Sequence, residues 1–205
     1  PRLQTNGTAK WLMQRVLAEC PGMGLRLNAT RAARRLYRSL DFVAQQTVFQ
    51  CQGEARKPLD TTDLPAGYEI RQLRPSDLEA VIAFDAPGFA FPRPVHLAKL
   101  FESSLCYGLF QREELRAFSM SRAFGRGYVL GPIAALSAED AIAVARPHVD
   151  AHVGRFLRVD THVEAGPFAS FIQQCGLPVF DTVTTMTLGE GVDYGAIGDE
   201  NGALF

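Results

Sequence analysis

Two stretches of this chain carry the same order of periodicities, and that order leaves few folds open. In the first, Leu12, Met13, Val16, Leu17 and Cys20 recur on one helical face before Pro21-Gly22 stops the run. Residues 25–29 then alternate like a short strand, Thr30 can cap a helix reaching Ser39, and residues 42–51 are rich in Val, Phe and Thr, as strands are. The second stretch has a helix over 138–149, a strand over 155–163, a helix over 166–174 ended by Gly176, and a β-rich run over 179–188. The shared pieces, 25–42 and 157–177, each with the β-rich run after it, read as two copies of one α/β topology.

Residues 52–67 separate the copies. They are polar, contain two prolines and show neither period, so they read as a linker. Residues 68–73 alternate strictly, Pro75-Ser76-Asp77 opens a helix, and 95–103 carries another. Residues 105–110, 115–122 and 127–133 read as three strands, and Ser137 with Asp140 forms a capping-box-like helix start. The expected division is therefore 1–51, too short for an ordinary domain, a linker over 52–67, and 68–205, which is domain-sized.

Composition narrows the function classes. The net charge is -1, from 21 basic and 22 acidic residues, so no basic stripe marks a nucleic-acid partner. No apolar run approaches the roughly 18–20 residues that span a bilayer, so no membrane partner is expected. The start, from Pro1 to Asn6, is polar and shows no secretory signal; it lacks an initiator Met, which reads as a fragment or a processed chain. Cys20, Cys51, Cys106 and Cys175 are far apart, which argues against a thiolate zinc site or a disulfide framework and suits free thiols in a reducing cytoplasm.

The strongest chemical signal is at the start. Gln4, Thr5, Asn6, Gly7, Thr8 and Ala9 directly precede the first amphipathic helix. Small residues at 7 and 9 let backbone approach a ligand, and a helix N-terminus offers unpaired N–H groups and partial positive charge. Together these suit a pyrophosphate, although a polar turn with Gly often does no more than cap a helix.

This segment resembles the acyl-CoA-binding half of the GNAT N-acetyltransferase superfamily. There, a Gln/Arg-x-x-Gly-x-Gly/Ala turn bends around the CoA pyrophosphate, and Gln4, Gly7 and Ala9 match it. The family continues with a strand, a polar residue and a helix bearing Ala and Tyr before a Gly-Phe turn. Ala33, Leu36, Tyr37 and Phe42 fall in register. Thr30 stands where the family usually has Asn, and Asp41 where it has Gly; Asp tolerates positive φ better than most residues.

The resemblance implies an α/β fold with a mixed sheet flanked by helices and two lobes, the first incomplete. It implies acetyl transfer from acetyl-CoA to a primary amine, most simply of a small molecule, with no metal. Gln4, Thr5, Asn6, Gly7, Thr8, Ala9, Thr30 and Ala33 would bind the donor. Tyr37 would be the general acid, because a phenol keeps its proton at neutral pH and can pass it to the leaving thiolate. Packing beside Leu36 is the alternative use of that ring.

The second segment resembles the degenerate lobe of bacterial tandem GNAT proteins, with residues 128–135 the most similar part. Where the pyrophosphate turn would follow, residues 135–140 contain no Gly, and Glu139 and Asp140 would repel phosphate. Ile172 stands where the first copy has Tyr37. This lobe would wall the acceptor pocket or build a homo-oligomer interface. The rival reading of the whole chain is a non-catalytic binding or oligomerisation module.

Three other groups invite a chemical reading. His148 and His152 are spaced i, i+4 like a metal pair, but a His near a helix C-terminus is favourable without one. Asp160, His162 and Glu164 alternate and could line an amine pocket, or form the solvated face of a strand. Arg31, Arg34, Arg35 and Arg38 make a basic helix face, which solvation explains and which could also meet the CoA 3′-phosphate or acidic residues of the other lobe.

Overall fold

The structure is a computed structural model that describes residues 7–58, 64–88 and 92–189 and the backbone of residues 203–204. In chain order the elements are α1 (Thr8–Ala18), β1 (Leu25–Thr30), α2 (Arg34–Arg38), β2 (Val43–Glu54), β3 (Tyr68–Gln72), α3 (Leu78–Asp85), α4 (Pro94–Glu102), β4 (Leu105–Gln111), β5 (Glu114–Phe124), β6 (Gly127–Ala135), α5 (Ala138–Ala151), β7 (Phe156–Thr161), α6 (Pro167–Gln174), β8 (Val179–Leu188) and β9 (Ala203–Leu204). The expected α/β class with a mixed sheet flanked by helices is what forms. The described chain divides into two compact units, 7–48 with 182–189, and 49–181 with 203–204.

In the first unit β1 pairs antiparallel with β8, from Leu25 opposite Leu188 to Thr30 opposite Val183. Strand β8 in turn neighbours β2. Ala29, Leu40, Phe42 and Met186 are buried together, and Met13 and Leu17 of α1 and Leu36 and Tyr37 of α2 pack against them. Of the apolar face expected over α1, Met13 and Leu17 reach this core, whereas Leu12 and Val16 are exposed. Two polar rungs fix the edges: Thr185 Oγ1 donates to Asn28 Oδ1 at 2.9 Å, and Gln45 Nε2 donates to Thr187 Oγ1 at 2.9 Å.

In the second unit the strands run in the order β2, β7, β6, β5, β4, β3. Only β6 and β7 are parallel, as the crossover through α5 requires; the other neighbours along this order are antiparallel. Residues of β5 and β6 alternate between two cores. Ala117, Ile133 and Ala135 join the core containing α5 and α6, while Phe118, Met120 and Ala134 join the one containing α3 and α4. Both faces are covered by helices, so these strands are apolar on both sides. Strand β9 pairs with Ala134 and Ala135 of β6.

The two repeats recur as α1-β1-α2-β2 and α5-β7-α6-β8, but each unit takes part of its last strand from the other repeat. Residues 183–188 pair with β1, and residues 49–54 pair with β7. The compact units therefore do not follow the 52–67 break. The polar Gln52-Gly53-Glu54, expected as the start of the linker, are the last residues of β2. Ala55 N–H then donates to Arg155 O at 2.9 Å and Arg56 N–H to Cys175 O at 2.8 Å.

Gly53 explains how this polar strand end fits. A Cβ there would collide with the Gly176 carbonyl oxygen, a backbone atom that cannot swing aside. Gly53→Ala is accordingly expected to destabilise the protein by about 1–3 kcal/mol through forced backbone shifts. A urea midpoint equal to the wild type would show that the turn after α6 yields freely.

Two expected boundaries move. Thr30 does not cap α2: it stays in β1, opposite Val183, and a turn over 31–33 intervenes before the helix starts with Ala33 as N-cap. Strand β7 stops at Thr161 because Thr161 Oγ1 accepts the Val163 N–H at 3.0 Å, a local bond that competes with the ladder. His162 and Glu164 therefore lie beyond the strand and do not share a strand face with Asp160.

Candidate active site

Helix α1 begins at an uncapped N-terminus. Gly7 is its N-cap, with φ 71°, in the left-handed region, and among the described residues no side chain caps the first turn. No acidic residue lies in that turn. The Gly7 carbonyl accepts the Trp11 N–H at 2.9 Å, while the N–H groups of the preceding turn have no intrahelical partners. A Cβ on Gly7 would meet nothing within 4 Å among the described residues, so Gly is needed there for its backbone angle. Thr8 and Ala9 are exposed beside it. Gln4, Thr5 and Asn6 lie outside the described residues.

Tyr37 sits on α2 and is half-buried. Its ring meets Phe42 edge-on, with centroids 5.7 Å apart and planes at 66°. The turn that brings Phe42 back is a Schellman closure: Phe42 N–H donates to Tyr37 O at 3.1 Å and Asp41 N–H to Arg38 O at 3.2 Å. Asp41 has φ 64°, so it adopts the left-handed angle that the family meets with Gly, and the turn survives as the sequence led us to expect. Phe42 packing accounts for the ring of Tyr37 but not for its hydroxyl, which makes no hydrogen bond among the described residues. Helices α1 and α2 share one core, through Met13 and Leu17 on one side and Leu36 and Tyr37 on the other. Thr30 is exposed at the end of β1, and Ala33 is the half-buried N-cap of α2.

The start of α5 is different. Ser137 Oγ accepts the Asp140 N–H at 3.1 Å, so this N-terminus is capped by its own chain. Asp140 turns inward, with its side chain 8% exposed, and Arg116 holds it by Nη2 at 3.0 Å and Nε at 3.1 Å. Its charge is therefore neutralised, and repulsion of phosphate at this helix rests on Glu139 rather than on both carboxylates. Ile172 is fully buried in the core of α5 and α6.

The histidine pair is structural. Ser119 Oγ donates to Val144 O at 2.7 Å, so His148 Nε2 must carry the hydrogen it gives to Ser119 Oγ at 2.9 Å. His152 Nδ1 contacts the His148 carbonyl at 2.6 Å; the His152 ring lies tilted against Tyr128 at 4.1 Å, and the His148 ring meets Tyr107 edge-on at 5.0 Å. Among the described residues, no three His, Cys, Asp or Glu side chains gather as a metal-holding group. Asp160 is held by Arg158 in a two-point pair at 2.7 Å. Burial pushes the thiols of Cys106 and Cys175 up to about 12, which removes them as nucleophiles at neutral pH.

Burial also pushes the His148 imidazole down to about 4, with His152 adding to the shift and the Ser119 contact opposing it. In the unfolded chain the same ring takes its proton near 6.5, so unfolding binds a proton between these values. Stability is expected to fall by about 3 kcal/mol as pH drops from 6.5 to 4, and to be unaffected by this group above that window. Urea denaturation of wild type and His148→Gln across pH 4–7.5 checks this. An equal slope in both proteins would assign the acid sensitivity elsewhere.

Comparison with known proteins agrees with this architecture. Residues 81–194 match the acetyltransferase (GNAT) domain family, more than half of the chain. The chain therefore belongs to the GNAT acetyltransferase family and is an acyltransferase. A Pyrococcus horikoshii protein classed as an acetyltransferase superposes with a TM-score of 0.68 at 17% identity, over 98% of this chain and 68% of that one. A GCN5-related N-acetyltransferase of Sphaerobacter thermophilus gives 0.66 at 13% identity, over 94% and 73%. A tandem GNAT protein from the clavulanic acid biosynthesis pathway gives 0.60 at 12%, over 92% and 71%. No curated protein sequence matches the chain at a significant level.

Proposed function

We propose that this chain moves an acetyl group from acetyl-CoA to a primary amine of a small molecule, and that the donor binds at the start of α1. Family membership supports acyl transfer, and the observation that carries the placement is the uncapped, acid-free N-terminus of α1 behind a left-handed Gly7. Backbone N–H groups there would hold the pyrophosphate, with Gln4, Thr5, Asn6, Thr8 and Ala9 around it and Thr30 and Ala33 beside the pantetheine arm. The neutral amine nitrogen attacks the thioester carbonyl, the carbon–sulfur bond breaks, and Tyr37 passes its hydroxyl proton to the departing sulfur; the proton that the nitrogen sheds as it becomes an amide goes to solvent, from which the Tyr37 phenolate regains its own. Residues 68–205, where the α5 N-terminus caps itself, would serve as the degenerate lobe that walls the acceptor pocket or joins copies of the chain. Four cysteines without disulfides fit a cytoplasmic protein.

Amine-dependent release of CoA thiol from acetyl-CoA, scored over a panel of small amines, tests the reaction; release that no amine accelerates would reject it. Gly7→Glu tests the placement. It sets a carboxylate beside phosphate, and acetyl-CoA affinity by calorimetry is expected to fall at least about tenfold. Gly7→Asn, which tolerates the left-handed angle without charge, should bind nearly normally. Equal affinity in all three proteins would move the donor away from α1.

A further inference from the structure

We infer that Arg31, Arg34, Arg35 and Arg38 form a binding site for a phosphate monoester. The four line one open concavity of about 440 Å³ and are its only lining residues among those described. Their spacing makes this geometric: Arg31 precedes α2 by three residues, and positions 31, 34, 35 and 38 stand three or four apart, on neighbouring turns. Leu36 and Tyr37 are the α2 residues that pack into the core, which leaves the arginines outward. Arg31, Arg35 and Arg38 are exposed and Arg34 is half-buried.

The cluster is unfavourable as it stands. Like charges three or four residues apart destabilise a helix, and α2 has only five residues in which to absorb that. Among the described residues no carboxylate pairs with any of the four, whereas Arg71, Arg93, Arg116 and Arg158 are all held by an Asp. An anion in the concavity would relieve the repulsion. A single carboxylate offers one charge, but a phosphate monoester brings nearly two and three acceptor oxygens, which suits several guanidinium forks.

Two sources share this chemistry: the 3′-phosphate of the CoA donor, and a separate acceptor bearing a phosphate. The first rests on the proposed donor reading; the arginine site itself does not. Calorimetry on the full chain with CoA, dephospho-CoA and inorganic phosphate separates them, using wild type, Arg34→Gln/Arg38→Gln and Arg34→Lys/Arg38→Lys. If the donor supplies the phosphate, wild type should bind CoA about tenfold or more tighter than dephospho-CoA, and the Gln pair should lose that preference. If an acceptor supplies it, the two CoA forms bind alike, but inorganic phosphate binds wild type and not the Gln pair, with the Lys pair intermediate. Phosphate binding with no binding of either CoA form would sink the donor reading and leave the arginine site standing. Wild type and Gln pair alike toward all three ligands, with matching circular dichroism, would overturn the site.

Discussion

Tyr37→Phe is expected to lower turnover by roughly 10²–10⁴-fold while acetyl-CoA affinity and melting temperature stay near those of the wild type. The substitution is unusually clean here. The ring's edge-on contact with Phe42 and its place in the Ala29–Met186 core are kept, and no hydrogen bond among the described residues is lost with the hydroxyl. What disappears is one proton donor. Without it, sulfur must leave as a free thiolate, and the loss should appear in turnover rather than in donor binding. The choice of thioester supplies a second reading. A thiol with a low leaving-group pKa needs less help, so an activated aryl thioester should lose far less rate in the variant than acetyl-CoA does. Equal losses for both thioesters, or a parallel drop in stability, would return Tyr37 to a packing role.

Much of this site was legible because its signals are local. The left-handed turn at Asp41 needs only a residue that tolerates positive φ and an apolar residue after it to fold back on the helix, and Asp41-Phe42 supplies both. The uncapped start of α1 likewise comes from Gly7 and the absence of acid in the next turn. Helix and strand order was readable from apolar spacing for the same reason, since each period is set within one element.

The illegible parts depend on residues far away. Gln52-Gly53-Glu54 look like linker because they are polar, yet their strand character comes from pairing with residues 156–158, and Gly53 is there for the backbone of Gly176. The exchange of strand ends between repeats has no local mark: β8 would read the same whichever strand it paired with. Asp140 looked like a phosphate-repelling charge because nothing in its neighbourhood announces Arg116, which is 24 residues away in the chain. Thr30 shows the same limit in reverse. Its side chain suits a helix cap, but pairing with Val183 holds it in the strand.

The same dependence on distant partners makes Arg93→Met the largest expected loss of stability. Asp85 ends α3 with its side chain 1% exposed, and Arg93, directly before Pro94 at the start of α4, grips it through Nη2 at 2.8 Å and Nε at 2.9 Å. The pair replaces water for a carboxylate that has almost none, so the arginine cannot be removed without stranding a buried charge. That should cost about 3–5 kcal/mol, a large share of the roughly 5–15 kcal/mol that holds a typical domain folded. Arg93→Lys keeps the charge but loses the two-point fork, and should fall between wild type and Met. The decisive protein is Asp85→Leu/Arg93→Met, which removes both charges. If the single variant suffers from the stranded carboxylate, the double variant should recover most of the lost stability, because a matched apolar pair is often no worse than a buried ion pair. Urea midpoints of wild type, Arg93→Met, Asp85→Leu and the double variant complete the cycle. A double variant as unstable as Arg93→Met would mean that Arg93 supports α4 through its other contacts and that Asp85 is incidental to its role.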